Sequence, residues 1–170
     1  MLPLVVRIDA DDTRSAEQLK LDGWREEDVL VSYSRENPRR MPSPNVRRAR
    51  ADECESVAAL ATRTFHPKNK TEWVREAFAR DDRVVYVEES TDGSVAGFLI
   101  VRYDKNNLVI DLIGSAVRKS GTGRRMVETV EWLSGYRYTR AGTQENNIVA
   151  RQFYAALGFN MKRYRRTFYK

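Results

Sequence analysis

The spacing of apolar residues along this chain predicts both strands and helices. Short apolar runs, of the length typical of buried strands, are separated by turn sequences such as TDG and DKNN. Elsewhere, apolar residues recur every three or four positions, which is the period of an amphipathic helix. From residue 46 onward, the predicted strands cover residues 46–50, 83–90, 94–103, 108–117, 138–144 and 162–170. The predicted helices cover residues 52–65, 70–80, 121–136 and 147–159. This order predicts an α/β arrangement with an antiparallel meander in its middle.

The residues before position 46 form a separate pattern of strand, helix and strand. Residues 36–45, with the sequence ENPRRMPSPN, contain three of the five prolines and can neither continue a helix nor lie inside a sheet. We therefore expect an N-terminal piece over residues 1–35, a linker over 36–45 and a main domain over 46–170. The sequence QLKLDGW resembles FYAALGF near the C-terminus, and each precedes an alternating strand. This likeness suggests that the N-terminal piece imitates the tail of the main domain.

Two helices carry finer predictions. Asp52 followed three positions later by Glu55 has the spacing of a capping box, which predicts a helix that begins at Asp52. The helix over residues 121–136 is expected to face the core with Met126, Val127, Val130 and Leu133.

Composition and charge narrow the class of protein. The 170 residues are 41% hydrophobic and 32% charged, as is usual for a globular domain. A single cysteine, Cys54, excludes an internal disulfide, and we find neither a signal peptide nor a run of about 18 apolar residues. We therefore expect a cytoplasmic protein that does not associate with membranes. The net charge of +6 favours anionic partners such as the phosphates of a nucleotide or of coenzyme A.

The segment RKSGTG, residues 118–123, is the strongest candidate for an anion site. It follows an apolar strand and begins a helix, so the free N–H groups and the dipole of the first helical turn point toward the loop. Glycines allow a ligand to approach the backbone closely. Considered alone, the segment is also compatible with an ordinary surface turn, and it lacks the full dinucleotide fingerprint and the P-loop motif.

A second motif further along the chain distinguishes between these interpretations. With the RxxGxG upstream, the segment TQENNIVARQFYAALGF, residues 143–159, resembles the GCN5-related N-acetyltransferase (GNAT) family. The resemblance extends over residues 46–170. It implies an α/β (α+β) fold with a mixed, mostly antiparallel central sheet flanked by helices, here with a short N-terminal partial repeat. It also implies an N-acetyltransferase that uses acetyl-CoA as cosubstrate and no metal.

The resemblance assigns roles to individual residues. In the family, RxxGxG binds the coenzyme A pyrophosphate and the preceding strand offers backbone groups to the pantetheine arm. The implied coenzyme A-binding residues are Leu112, Ile113, Arg118, Lys119, Ser120, Gly121, Thr122, Gly123, Arg124 and Asn147. Tyr154 is the implied general acid for the leaving thiolate. It follows Asn147 by seven residues, about two helical turns, so both side chains lie on nearly the same face.

The general base is left open. Asp111 lies on the strand face that often carries a catalytic carboxylate in this family, but it could equally pair with an arginine. His66, the one histidine, lies in a loop that commonly borders the acceptor site in the family. Glu72 and a chain of water molecules are further alternatives.

The acceptor is predicted from a softer likeness. The N-terminal piece, the GTQxxN sequence and the last strand, KRYRRTFYK, resemble the dTDP-fucosamine acetyltransferase branch, whose members acetylate nucleotide-linked amino sugars. The last strand could contact the diphosphate of such an acceptor. A protein N-terminus, a polyamine or an antibiotic amine are alternative acceptors, and a non-catalytic coenzyme A-binding module is the alternative function. Nucleic acid is not expected as a partner, and a homodimer is left open.

Overall fold

The computed structural model describes residues 4–65, 68 and 70–170, which divide into two compact units. Within the described residues, the first unit contains residues 4–35 and 140–170, and the second contains residues 36–139. The helices are α1 Thr13–Leu21, α2 Cys54–Thr64, α3 Thr71–Ala79, α4 Thr122–Ser134 and α5 Ile148–Ala156. The strands are β1 Val5–Asp9, β2 Arg25–Glu36, β3 Val46–Arg48, β4 Arg83–Glu89, β5 Val95–Asp104, β6 Asn107–Ser115, β7 Tyr138–Gln144 and β8 Asn160–Tyr169. The predicted mixed α/β fold with mostly antiparallel strands is confirmed.

In the second unit, the strands lie in the order β6-β5-β4-β3, and each neighbouring pair is antiparallel. Helices α2 and α3 pack on one face of these strands around Phe98 and Ile100. The opposite face is turned toward α4, because a Cβ built at Gly97 would clash with the Thr122 methyl group. Strands that are covered on both faces read as continuous apolar runs, which explains the sequence of β5.

The prediction of which face of α4 is buried is confirmed for three of its four residues. Met126, Val127 and Val130 are fully buried, but Leu133 is 50% exposed, so this part of the prediction is wrong. Leu133 continues the apolar stripe into the last turn, just before the left-handed Gly135 that ends the helix. The helical period identifies a face, whereas the strands beneath it decide how far along that face the burial extends.

The start of α2 differs from the prediction. Asp52 is not the cap, because a 3-10 turn over Ala51–Glu53 precedes the helix. The buried Glu53 carboxylate accepts a hydrogen bond from the Arg50 backbone N–H at 2.7 Å and pairs with the Arg47 guanidinium at 2.8 Å. The paired Arg47 lowers the pKa of Glu53 to about 2. The start of this helix is therefore defined by an ion pair between Glu53 and Arg47 of strand β3, and not by the local sequence pattern.

In the first unit, β8 lies between β1 and β2 and is antiparallel to both. Helix α1 connects β1 to β2, and α5 connects β7 to β8. Residues 37–45 contain no helix or strand. The expected division into residues 1–35, 36–45 and 46–170 stays a prediction. Within the described ranges, no helix is long and apolar enough to cross a membrane.

Candidate active site

The RKSGTG loop lies between β6 and α4 in the second unit and is held by its own hydrogen bonds. Ser120 Oγ donates to the Val117 carbonyl at 2.8 Å and lies 3.0 Å from Thr122 Oγ1, within hydrogen-bond distance. Gly121 occupies the N-cap of α4 with φ +82°, in the left-handed region that favours glycine. A Cβ at this position would also lie 2.8 Å from Arg125 Nη1. The loop is therefore a fixed turn at the start of α4, where the first N–H groups of a helix have no partners within the helix.

The basic residues around the loop divide into two groups. Arg118 and Lys119 are exposed on the loop itself. Arg124 pairs with Glu128 at 3.3 Å, and Arg125 turns back to pair with the buried Glu88 of β4. Arg118 and Lys119 thus extend from the loop into solvent, whereas Arg125, which is also partly exposed, connects the loop to β4.

The strand before the loop places its predicted residues on opposite faces. Leu112 packs in the core under α2 and α3, so only its backbone could meet a ligand, whereas Ile113 lies on the other face and is half-buried. The pairing of β5 with β6 shifts between Ile100 and Val101, which marks a bulge beside Asp111. A bulge leaves one residue unpaired in the ladder, so backbone groups are available at this point.

Asp111 is held by arginines from two other strands. Arg83 Nε donates to one carboxylate oxygen and Arg102 Nε to the other, both at 3.0 Å, and the side chain is only 10% exposed. This geometry matches the ion-pair alternative. The role of Asp111 as a catalytic base stays a prediction.

The other two candidate bases receive less support from geometry. His66 lies outside the described residues. Glu72 is an exposed residue at the start of α3 that pairs with Arg75 at 2.7 Å. No catalytic base is therefore assigned by the described residues.

Asn147 and Tyr154 lie in the first unit, on α5. Asn147 is the N-cap of this helix, and its side-chain oxygen accepts from the Ala150 N–H at 3.1 Å. Tyr154 is buried, and its ring centroid lies 5.4 Å from those of Tyr33 and Phe159. Burial, with a smaller contribution from Tyr33, raises the pKa of the Tyr154 phenol well above its ordinary value. The phenol is therefore protonated at neutral pH, as a general acid must be.

Two residues beside Tyr154 were not predicted from the sequence. Tyr33 and Arg35 both come from β2, in the N-terminal piece. Arg35 is buried, donates to the Leu157 carbonyl at the end of α5, and lies 4.8 Å above the Phe159 ring. The alternating pattern of β2 indicates that these side chains face inward. It gives no sign of the helix that they meet, because that helix is more than 100 positions away.

A comparison of the chain with known protein families decides its membership. The profile of the acetyltransferase (GNAT) family matches residues 51–159, which include the RKSGTG loop, Asn147 and Tyr154. The chain belongs to the GNAT family. The predicted class, N-acetyltransferase, is confirmed at this level, and members of the family use acetyl-CoA.

Solved structures share the fold at low sequence identity. A conserved protein of unknown function from Staphylococcus epidermidis is similar over 99% of this chain and 72% of its own, with 13% identity and a TM-score of 0.78. A GNAT protein from Sphaerobacter thermophilus is similar over 99% of this chain and 60% of its own, with 14% identity and a TM-score of 0.67. The chain therefore spans less than two thirds of the length of the Sphaerobacter protein.

A third structure contains a ligand. AAC(6')-Iy, in complex with the bisubstrate analogue CoA-S-monomethyl-acetylneamine, is similar over 68% of this chain and 89% of its own, with 18% identity and a TM-score of 0.53. No relative was found among curated proteins. Neither the family match nor these structures supports the finer resemblance to the dTDP-fucosamine acetyltransferase branch.

Proposed function

We propose that this chain transfers the acetyl group of acetyl-CoA directly to the primary amine of a nucleotide-linked amino sugar, and that it does so in the cytoplasm. The observation that carries the acetyl-CoA part is the fixed turn at Gly121, which begins α4 in a GNAT chain. The acceptor part rests on the sequence resemblance and on the basic last strand.

Residues 118–124 would bind the pyrophosphate of coenzyme A. Backbone N–H groups of the first turn of α4 can donate to its oxygens, and the helix dipole adds partial positive charge. The exposed Arg118 and Lys119 add two full charges beside the turn. The bulge beside Asp111 leaves backbone groups on β6 for the pantetheine arm, through Leu112 and Ile113. Asn147 would contribute a further polar contact while it caps α5.

Tyr154 would protonate the leaving thiolate. The acceptor nitrogen attacks the thioester carbonyl and forms the C–N bond, and the C–S bond then breaks with its electron pair on sulfur. The phenolic proton of Tyr154 passes to that sulfur, and solvent returns a proton to the phenol. The nitrogen loses its own proton to a base or to water. Burial of Tyr154 supports this role because it keeps the phenol protonated until the thiolate forms.

The last strand would contact the acceptor diphosphate. Lys162 and Arg163 are exposed on β8, whereas Arg165 and Arg166 lie in ion pairs within their own unit. Two exposed cations at successive positions of one strand favour an anionic group such as a diphosphate, which accepts charge-assisted hydrogen bonds. An aminoglycoside amine is the second candidate acceptor, because AAC(6')-Iy shares the fold and its ligand combines coenzyme A with acetylneamine.

The proposal is tested by release of free coenzyme A from acetyl-CoA with a dTDP-amino sugar, neamine, spermidine or a peptide N-terminus as acceptor. We expect the nucleotide sugar to give the highest kcat/KM, and Tyr154→Phe to lower kcat by roughly 10²-fold or more with little change in KM for acetyl-CoA. Higher turnover of neamine or another amine would overturn the acceptor assignment. Equal kcat for Tyr154→Phe and wild type would overturn the general acid. Binding of acetyl-CoA without turnover of any amine would favour the coenzyme A-binding module.

A further inference from the structure

The first unit contains the same helix start twice. The Asp12 side chain accepts from the Ser15 N–H at 3.0 Å at the start of α1, and the Asn147 side chain accepts from the Ala150 N–H at 3.1 Å at the start of α5. The two caps are 135 positions apart in the sequence.

The same offset relates the ends of these helices. Gly23 follows α1 with φ +83°, and Gly158 follows α5 with φ +81°. Each glycine precedes a large aromatic residue, Trp24 or Phe159. The backbone N–H of Trp24 returns to a helix carbonyl at 2.9 Å, and that of Phe159 does so at 3.0 Å.

The backbone hydrogen bonds between the two segments are related by the same offset of 135 positions. The Ala10 N–H donates to the Tyr164 carbonyl, and the Glu145 N–H donates to the Val29 carbonyl. The two donors, residues 10 and 145, are 135 positions apart, and so are the two acceptors, residues 29 and 164. Each segment therefore donates one of these hydrogen bonds to the other segment and accepts the equivalent one.

Two cation–π contacts between the segments are also related by this offset. Arg35 lies 4.8 Å above the Phe159 ring, and Lys170 lies 5.6 Å above the Trp24 ring. Residues 35 and 170, like residues 24 and 159, are related by the same offset. Residues 5–35 and 140–170 are therefore two copies of one strand-helix-strand unit.

The copies differ where the proposed chemistry occurs. Tyr154 of the second copy corresponds to Leu19 of the first, so the first copy has no phenol at that position. Instead, the first copy contributes Tyr33, which is buried against the Tyr154 ring and whose hydroxyl group is the chief cause of the raised pKa of Arg151 on α5.

We propose that residues 5–35 are a non-catalytic copy of residues 140–170, and that their Tyr33 and Arg35 are positioning residues for α5 and Tyr154. This inference rests on the proposed function only for the role of Tyr154. Arg35 fixes the end of the helix through the Leu157 carbonyl, and Tyr33 fixes its middle through the packing of its ring on Tyr154. The N-terminal segment is thereby part of the machinery that orients the general acid.

A pair of matched variants tests the positioning of α5 without any assay of activity. Arg35→Met and Lys170→Met each remove the cation above an aromatic ring at equivalent positions of the two copies. We expect hydrogen exchange of the Leu157 and Phe159 amides, measured by NMR, to become about tenfold faster in Arg35→Met and to change less than twofold in Lys170→Met. Equal exchange rates in the two variants, whether raised or unchanged, would overturn the proposal.

A second measurement uses Tyr33→Phe, which keeps the ring and removes only the hydroxyl group. With the acceptor that gives turnover, we expect kcat to fall about fivefold, KM for acetyl-CoA to stay within twofold, and no further fall when the change is made in Tyr154→Phe. Additive effects on kcat would contradict an action of Tyr33 through Tyr154. If Tyr154→Phe alone left kcat unchanged, the general acid assignment would fail instead, while the exchange result would still decide the positioning of α5.

Discussion

The Arg125 guanidinium of α4, which follows the RKSGTG loop, pairs with the buried Glu88 carboxylate of β4. Glu88 is 3% exposed, and its Oε1 accepts from Arg125 Nε, whereas its Oε2 has no hydrogen-bond partner among the described residues. The same guanidinium donates to the Ser120 carbonyl and to Thr122 Oγ1, each at 3.1 Å. One arginine thus connects both sides of the helix start to strand β4.

This connection predicts that Glu88→Gln weakens acetyl-CoA binding without any contact to the ligand. Loss of the Glu88 charge weakens the charge-assisted hydrogen bond that holds Arg125, and this loosens the loop that Arg125 supports. We expect the Kd for acetyl-CoA, measured by calorimetry, to rise about fivefold. Glu89→Gln is the matched control, because Glu89 pairs with Arg47. A similar Kd for the two variants would contradict this role of Glu88.

Gly121 and Gly93 separate the effect of loop geometry from the effect of backbone strain. Both have φ +82°, but a Cβ at Gly121 would meet Arg125, whereas among the described residues no atom lies within 4 Å of a Cβ at Gly93. We expect Gly121→Ala and Gly93→Ala each to lower the free energy of unfolding by about 1–2 kcal/mol. Only Gly121→Ala should also raise the Kd for acetyl-CoA. An unchanged Kd would show that the loop conformation is not needed for binding.

The elements that could be predicted from the sequence are those that local patterns determine. Strand β7 was predicted over residues 138–144 and is observed over Tyr138–Gln144, because alternation is a property of the strand itself. The helix predicted over residues 147–159 is observed as α5, and Gly158 takes the left-handed conformation that ends a helix. The start of α2 could not be predicted, because the Arg47–Glu53 pair that defines it joins two elements.

In the candidate site, too, local features could be predicted from the sequence and contacts between elements could not. The RKSGTG turn and the Asn147 cap are local features, and both are observed as turn and cap. Pairing of Asp111 with Arg83 and Arg102 depends on the register of three strands, and the period of one strand does not reveal it. The contact between Tyr33 and Tyr154 joins positions from the two ends of the chain, so it required the structure.

Glu53 predicts a pH dependence of stability. Its pKa is about 2 in the folded protein, against an ordinary value of 4.5, so its stabilising effect is complete above about pH 4.5 and is lost as the pH falls toward 2. We expect Glu53→Gln to lower the free energy of unfolding by about 2 kcal/mol at pH 7, with a smaller loss at pH 3. Urea denaturation at both pH values measures the difference. A loss that is the same at both would exclude the ionised carboxylate as its cause.

Asn147 has a structural role that its counterpart Asp12 shares and a proposed binding role that Asp12 does not. Asn147→Ala removes the cap of α5 and should lower the free energy of unfolding by about 1 kcal/mol. Asp12→Ala should destabilise α1 in the same direction, since it removes the equivalent hydrogen bond. Thermal unfolding measures both effects. Only Asn147→Ala should raise KM for acetyl-CoA, and a rise in both variants would assign the effect to stability alone.

The raised pKa of Tyr154 predicts the alkaline side of the pH–rate profile. A general acid works while it is protonated, so kcat should fall only as the pH approaches the pKa of the phenol. Because burial raises that pKa, we expect no fall in kcat attributable to Tyr154 up to about pH 10, the ordinary value for tyrosine. The measurement is kcat from pH 6 to 10 for wild type and Tyr154→Phe at saturating acetyl-CoA. The two profiles should differ by a constant factor, because Tyr154 does not titrate in this range. A fall in kcat near pH 8 that Tyr154→Phe abolishes would mean that the phenol ionises there, which its burial among Tyr33 and Phe159 does not permit.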